Sequence, residues 1–277
     1  MRLVADGVSL GYAGRAVVDG VTLTIPDRAT TVIVGPNGCG KSTLLRGMAR
    51  LLHPTRGAVL LDGKAVHKQP TKEVAKVLGL MPQSPIAPEG ITVTDLVGRG
   101  RQPHRGPLSR WTSADDEAVA EALALTSTLD LADRLVDELS GGQRQRVWVA
   151  MALAQQTDLL LLDEPTTFLD VAHQLDLLDL LHGLRQTRGT TVVMVLHDLN
   201  LAARYADHLV ALRDGRVVAE GPPAEVVTEE RVGAVFGLEC RVVPDPVAGT
   251  PLVVPMGRHH RLPESPARQL ATEGSDA

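Results

Sequence analysis

Aromatic residues are scarce in this chain. Only six rings occur in 277 residues, Tyr12, Trp111, Trp148, Phe168, Tyr205 and Phe236, so the core is expected to be built from Leu, Val, Ile, Ala and Met. A ring outside that core then needs a reason. Lysine is scarcer still, five against 23 arginines, and 33 acids bring the net charge to −5, which argues against a protein that coats nucleic acid. Long apolar runs are missing too. The longest, 147–154, has eight residues, against the roughly 20 that a membrane-spanning helix needs, so none is expected to cross a bilayer by itself. The opening MRLVADGVSL has Asp6 and Gly7 where a signal peptide would carry its apolar stretch. Two cysteines, Cys39 and Cys240, cannot make a disulfide framework, which fits a reducing compartment.

What remains, 44% apolar and 22% charged residues, suits one large globular domain or two lobes. Residues 3–5, 8–10 and 17–25 alternate like antiparallel strands, with Gly11-Tyr12-Ala13-Gly14 as a turn. Three continuous apolar runs, 30–34, 159–162 and 190–196, read as strands buried on both faces, and helical stretches between them imply a parallel sheet with covering helices. A helix is expected over 42–52 and a strand over 77–81. From about 85 to 157 the pattern is helical, over 94–98, 113–125 and 142–155, which reads as a separate helical lobe inserted into the α/β lobe. The expected organisation is a domain over 1–240, a Pro-rich extension over 241–262 with a short strand at 252–254, and a disordered tail over 263–277.

The segment GPNGCGKS at 35–42 fits G-x-x-x-x-G-K-[ST] between a strand and a helix, the context that pattern requires. Gly35, Gly38 and Gly40 allow a tight turn that aims backbone N–H groups inward, an anion cradle at a helix N-terminus. Lys41 supplies charge for β and γ phosphates, Ser42 a hydroxyl for Mg²⁺, and Thr43 a further phosphate contact. The run at 159–162 ends in Asp163-Glu164, at the sheet edge where α/β folds bind ligands. There Asp163 can serve the Mg²⁺ shell and Glu164 can accept a proton from water. A third element, LSGGQ at 139–143, opens a helix with Ser140-Gly141-Gly142 and makes a second anion site, one more than a single triphosphate needs.

GPNGCGKST, LSGGQ, LLLLDEP and His197, in that order, resemble the nucleotide-binding subunits of ATP-binding cassette (ABC) transporters over about residues 3–256. The resemblance implies a P-loop NTPase fold with a RecA-like α/β core, a small antiparallel β subdomain and an inserted helical subdomain. It implies ATP with Mg²⁺, and two chains paired head to tail so that each ATP lies between the 35–43 loop (Gly35, Pro36, Asn37, Gly38, Cys39, Gly40, Lys41, Ser42, Thr43) of one and Ser140, Gly141, Gly142 and Gln143 of the other. It further implies that Tyr12 stacks on adenine, Gln83 touches Mg²⁺ and the attacking water, Asp170 signals across the dimer, and His197 contacts the γ-phosphate. Glu164 would be the base, with Lys41, Gln83 and His197 beside it, and Ser42, Gln83 and Asp163 the metal residues. Separate permeases and, indirectly, a substrate-binding protein would be partners at the cytoplasmic face of the cell membrane, with no nucleic acid.

RGRQPHRGPLSRW at 99–111, TTFLDVAHQLDLL at 166–178, LHDLNLAARYADHLVAL at 196–212 and PDPVAGTPLVVP at 244–255 resemble the importer branch that takes up ferric siderophores, and more distantly haem and cobalamin. Phe168 stands where many members carry Tyr. Haem, cobalamin or other ABC transport, exporters included, remains the alternative. The acid-free stretch 96–114, with Arg99, Arg101, Arg105, Arg110, His104 and Trp111, reads equally as a solvated basic loop or as a permease- or headgroup-facing surface. Of the six rings, Tyr12, Phe168, Trp148 and Trp111 are expected in or beside nucleotide, dimer or permease contacts.

Overall fold

The computed structural model describes residues 2–106 and 109–257; the tail expected over 263–277 lies outside them. In chain order the elements are β1 (Leu3–Tyr12), β2 (Arg15–Ile25), β3 (Thr30–Val34), α1 (Lys41–Met48), β4 (Arg56–Leu61), β5 (Lys64–Ala65), α2 (Thr71–Val77), β6 (Leu78–Met81), α3 (Val93–Gly98), α4 (Ser113–Leu125) and α5 (Gly141–Ala154). They continue with β7 (Leu159–Asp163), α6 (Val171–Arg188), β8 (Thr191–Val195), α7 (Leu199–Tyr205), β9 (His208–Arg213), β10 (Arg216–Gly221), α8 (Pro223–Val226), α9 (Glu229–Phe236), β11 (Cys240–Pro244) and β12 (Pro251–Pro255). Among the described residues, no helix is long and apolar enough to cross a membrane.

Six strands form the central sheet in the order β10-β9-β3-β8-β7-β6. Every pairing from β9 to β6 is parallel, and β10 closes the edge antiparallel to β9. The three apolar runs lie side by side because each has side chains to bury on both faces, and every residue of β3, β7 and β8 is buried. Alternation along a strand sends neighbours to opposite faces. Thus Val32, Leu160, Leu162, Val192 and Met194 join one apolar cluster with the helices α3, α5 and α6, while Ile33, Leu159, Leu161, Val193 and Val195 join a second with α1 and the small sheet. That small sheet, β2-β1-β4-β5, is antiparallel and contributes Leu3, Ala5, Val8 and Leu10 inward.

Helices α3, α4 and α5 begin at Thr92, Thr112 and Ser140, each of which caps its helix with its hydroxyl. Trp148 is where the expectation of surface rings fails: it lies two turns into α5, is buried, and belongs to the apolar cluster that also takes in residues of α3 and α4. The basic stretch is also corrected at one residue. Arg101 is buried and donates to Asp115 Oδ1 at 3.0 Å, Ala154 O at 2.8 Å and Gln156 Oε1 at 3.0 Å, so it ties α4 to the end of α5.

Several boundaries also differ from expectation. β1 runs through Tyr12, leaving only Ala13 and Gly14 in the turn. α1 stops at Met48, because Arg50 adopts a left-handed backbone (φ 66). Val77 ends a helix rather than starting a strand. β9 and β10 are joined by Asp214-Gly215, both at positive φ, the two-residue hairpin turn that Asp-Gly favours. The strand expected at 252–254 is present as β12, paired in register with β11 from Cys240↔Pro255 to Pro244↔Pro251.

Candidate functional site

The 35–43 loop leaves β3 and enters α1, and its shape depends on glycine at two points. A Cβ at Gly35 (φ 153) would stand 2.1 Å from Leu212 O, and one at Gly40 (φ 106) 3.1 Å from Val17 O. Lys41 is buried and its Nζ donates to Gly35 O at 2.9 Å and Pro36 O at 3.0 Å. An ammonium has three donors, so one remains for an anion. The Cys39 side chain is buried within the apolar cluster that packs around α1, and burial pushes its thiol pKa up.

A cavity of about 610 Å³ opens beside the loop, lined by Tyr12, Val17, Asn37, Gly38, Gly40, Lys41, Ser42, Thr43, Gln83, Glu164 and His197. These residues come from β1 and β2 of the small sheet, the loop, α1, the segment after β6, and the segments just beyond β7 and β8, so the small sheet closes over the edge where the parallel strands end. Tyr12 is 44% exposed at the rim, its hydroxyl accepting from Arg46 Nη1 at 3.4 Å. Burial of this ring would have removed it from any base.

Ser42 Oγ donates to Asp163 Oδ1 at 2.9 Å. Asp163 is buried behind it, and its Oδ2 is buried with no partner. Burial, with the Glu164 charge adding to it, lifts this carboxyl above the ordinary range against the Ser42 hydrogen bond. Glu164 holds a left-handed backbone (φ 54), a strained conformation of the kind that clusters at functional sites. Gln145 from α5 clamps that turn, donating to Glu164 O at 3.2 Å and Pro165 O at 3.0 Å. The Glu164 side chain is nearly buried, with Oε1 2.7 Å from His197 Nε2 and Oε2 accepting from Thr167 Oγ1 at 3.4 Å.

The remaining expected residues lie elsewhere. Ser140, Gly141, Gly142, Gln143 and Asp170 line a second cavity of about 570 Å³, with Arg146, Phe168 and His173, and it shares no residue with the first. The Ser140 hydroxyl accepts from Gln143 N at 3.3 Å while Gln143 Oε1 accepts from Ser140 N at 3.1 Å, so both side chains also cap α5. Phe168 is 75% exposed with φ 67 and lies over Gly141 and Gly142. Asp170 caps α6, accepting from His173 N at 2.9 Å and pairing with its Nδ1 at 2.8 Å, bonds that lower its pKa.

The sequence pattern of the ABC transporter family matches residues 18–167. The chain belongs to the ABC transporter family. This ABC ATPase is 53% identical over 257 residues to the ferric enterobactin transport ATP-binding protein FepC of Escherichia coli (strain K12), covering 93% of this chain and 95% of that one. It is 54% identical over 251 residues to the achromobactin transport ATP-binding protein CbrD of Dickeya dadantii (strain 3937), covering 91% and 93%. Among solved structures it resembles the dimeric ATP-binding cassette MJ0796 in a post-hydrolysis state bound to ADP and Pi, at TM-score 0.72 and 28% identity over 79% of this chain and 98% of that one. The MJ0796 cassette is a dimer in both of the solved structures that this chain resembles.

The reading of residues alone missed Val17 in the cavity wall and the Gln145 clamp. Val17 carried no signal. Neither did Gln145, which sits between Arg144 and Arg146 ahead of the apolar run of α5.

Proposed function

We propose that this ABC ATPase binds and hydrolyses ATP to power the import of ferric siderophores, as a peripheral subunit at the cytoplasmic face of the cell membrane. Two copies work with membrane permeases that provide the transport path and, indirectly, with a substrate-binding protein. The observation that carries the hydrolytic part is the 2.7 Å contact between His197 and Glu164 in the cavity beside Lys41. The siderophore part rests on the likeness to the enterobactin and achromobactin proteins.

In this reading the triphosphate lies along the 35–43 loop, with the free donor of Lys41 on its β and γ phosphates and Tyr12 against adenine. Glu164 takes the proton of the attacking water, His197 and Gln83 orient the γ-phosphoryl group and that water, and Asp170 links the two copies. Ser140, Gly141 and Gly142 of a second copy donate from the opposite side. Catalysis is then mostly positioning and charge neutralisation. The residues fit Mg²⁺: Ser42 Oγ, the unpartnered Asp163 Oδ2 and Gln83 are hard oxygen donors, and among the described residues no cluster of three or more His, Cys, Asp or Glu offers a protein cage, which suits an ion that shares its shell with phosphates and water. When bound, it would neutralise charge developing on the phosphate oxygens.

The transport reading is tested by deleting the gene and measuring growth and siderophore-dependent iron uptake under iron limitation. Loss of uptake is expected, restored by the wild-type gene and not by Lys41→Ala. Unchanged uptake would refute the import assignment while leaving ATP hydrolysis intact.

A further inference from the structure

We infer that the C-terminal hairpin β11–β12 is a positioning element for hydrolysis, acting through Asn200 and Arg204 of α7 on His197. The inference rests on the reading of His197 as a γ-phosphate contact. The His197 ring is not fixed by burial: the side chain is 47% exposed and meets Glu164 at 2.7 Å, so that contact depends on where the backbone sets the ring. That backbone leads directly into α7, whose N-cap Asp198 accepts from Asn200 N at 2.7 Å and Leu201 N at 3.0 Å. A seven-residue helix is too short to hold its own conformation or direction. Its fully buried side chains are only Ala202 and Ala203, with Leu199, Leu201 and Tyr205 packed partly buried against the core and the Tyr205 hydroxyl donating to Asp179 Oδ1 at 2.8 Å.

A second hold comes from the other side. Asn200 Nδ2 donates to Val253 O at 3.2 Å, and Val253 N donates to Asn200 Oδ1 at 2.7 Å, so the side-chain amide pairs with β12 as another strand residue would. One turn later, on the same face, Arg204 donates to Asp245 Oδ2. Asp245 is buried and also accepts from Val247 N at 2.8 Å and Ala248 N at 3.2 Å. One carboxylate therefore closes the loop between β11 and β12 and fastens it to α7. No residue of the hairpin lines the nucleotide cavity. Its hold on the active site passes through α7, which also packs against β3, the strand that feeds the phosphate loop. Releasing the hairpin would leave the ATP cradle whole and let the His197 ring drift from Glu164.

The test uses the full 277-residue chain. Steady-state ATP hydrolysis and ATP-driven dimerisation are measured for wild type, Asn200→Ala, Asp245→Asn, His197→Ala and the double variant Asn200→Ala/His197→Ala. Asn200→Ala is expected to lower kcat by about tenfold, with KM for ATP and dimerisation within about twofold of wild type, since misplacement far from the chemistry acts on turnover. The double variant is expected to be no slower than His197→Ala, because two changes acting through one ring do not add. Unchanged kcat in Asn200→Ala beside a slow His197→Ala would overturn the inference alone. A parallel loss of turnover, dimerisation and thermal stability would overturn it as well, reducing the hairpin to a strut. Wild-type turnover in His197→Ala would remove the underlying reading of His197 and the inference with it. Should Asn200→Ala be insoluble, Asp245→Asn decides by the same outcomes.

Discussion

Replacing Gly35 by Ala puts the close approach beneath the phosphate loop under load. The new Cβ would stand 2.1 Å from Leu212 O and 2.8 Å from Cys39 Sγ. A carbon and a carbonyl oxygen rest no closer than about 3.2 Å, so the backbone must yield by roughly 1 Å. The φ of 153° belongs to a region open almost only to glycine, at about 1–3 kcal/mol for other residues, and overpacking adds about 1–3 kcal/mol more. At about 2–4 °C per kcal/mol for a chain of this size, the melting temperature should fall by roughly 5–20 °C. The functional effect should be larger, because Gly35 O holds Lys41 Nζ at 2.9 Å and a 1 Å shift breaks that bond. ATP affinity, read by fluorescence titration with a nucleotide analogue, is expected to drop by roughly two orders of magnitude. Gly63→Ala is the control: φ is 75°, nothing lies within 4 Å, and only a modest melting loss with unchanged nucleotide affinity is expected. Wild-type nucleotide affinity in Gly35→Ala would refute the link between the Leu212 contact and the placement of Lys41.

Arg101→Met should strand the Asp115 carboxylate in the helical lobe and cost about 3–5 kcal/mol, visible as a lower urea midpoint, with much of the loss recovered in Arg101→Met/Asp115→Leu; an unchanged midpoint in the single variant would contradict the buried pair. The Arg204 hydrogen bond holds the Asp245 carboxyl down to about 2, against about 3.9 when unfolded. Its contribution to stability is therefore complete above about pH 4 and lost as pH falls towards 2. Asp245→Asn should flatten thermal stability across that window, and an identical acid limb in wild type and variant would dismiss the pairing.

Much of the site could be read directly because its chemistry is local in sequence. The loop at 35–43, the carboxylates at 163 and 164 and the helix start at 140 each declare their chemistry within a few residues. The three apolar strand runs could be placed in one sheet for a similar reason, since strands with no polar face must be covered on both sides. What was not legible arises between distant segments. Gln145 reaches the Glu164 turn, and Asn200 reaches Val253, by contacts that no periodicity encodes. Arg101 looked like surface charge because an isolated acid-free stretch gives no hint of Asp115 fourteen residues on. Trp148 looked like a recognition ring because it follows LSGGQ, whereas its own helix, apolar from Val147 to Ala154, turns it inward. The β9–β10 hairpin has a local signal in Asp214-Gly215, the dipeptide that two-residue hairpin turns favour.

Glu164, held against His197 at 2.7 Å in the cavity beside Lys41, is proposed to accept the proton of the attacking water. The most direct test of that role is ATP turnover and ATP-driven dimerisation of Glu164→Gln with Mg²⁺ present. The amide keeps the size of the side chain and an acceptor for Thr167, and loses the base. A stable ATP-bound dimer is expected, with kcat lowered by about 10²- to 10⁴-fold, the range for removing a general base. Turnover at the wild-type rate would contradict that role.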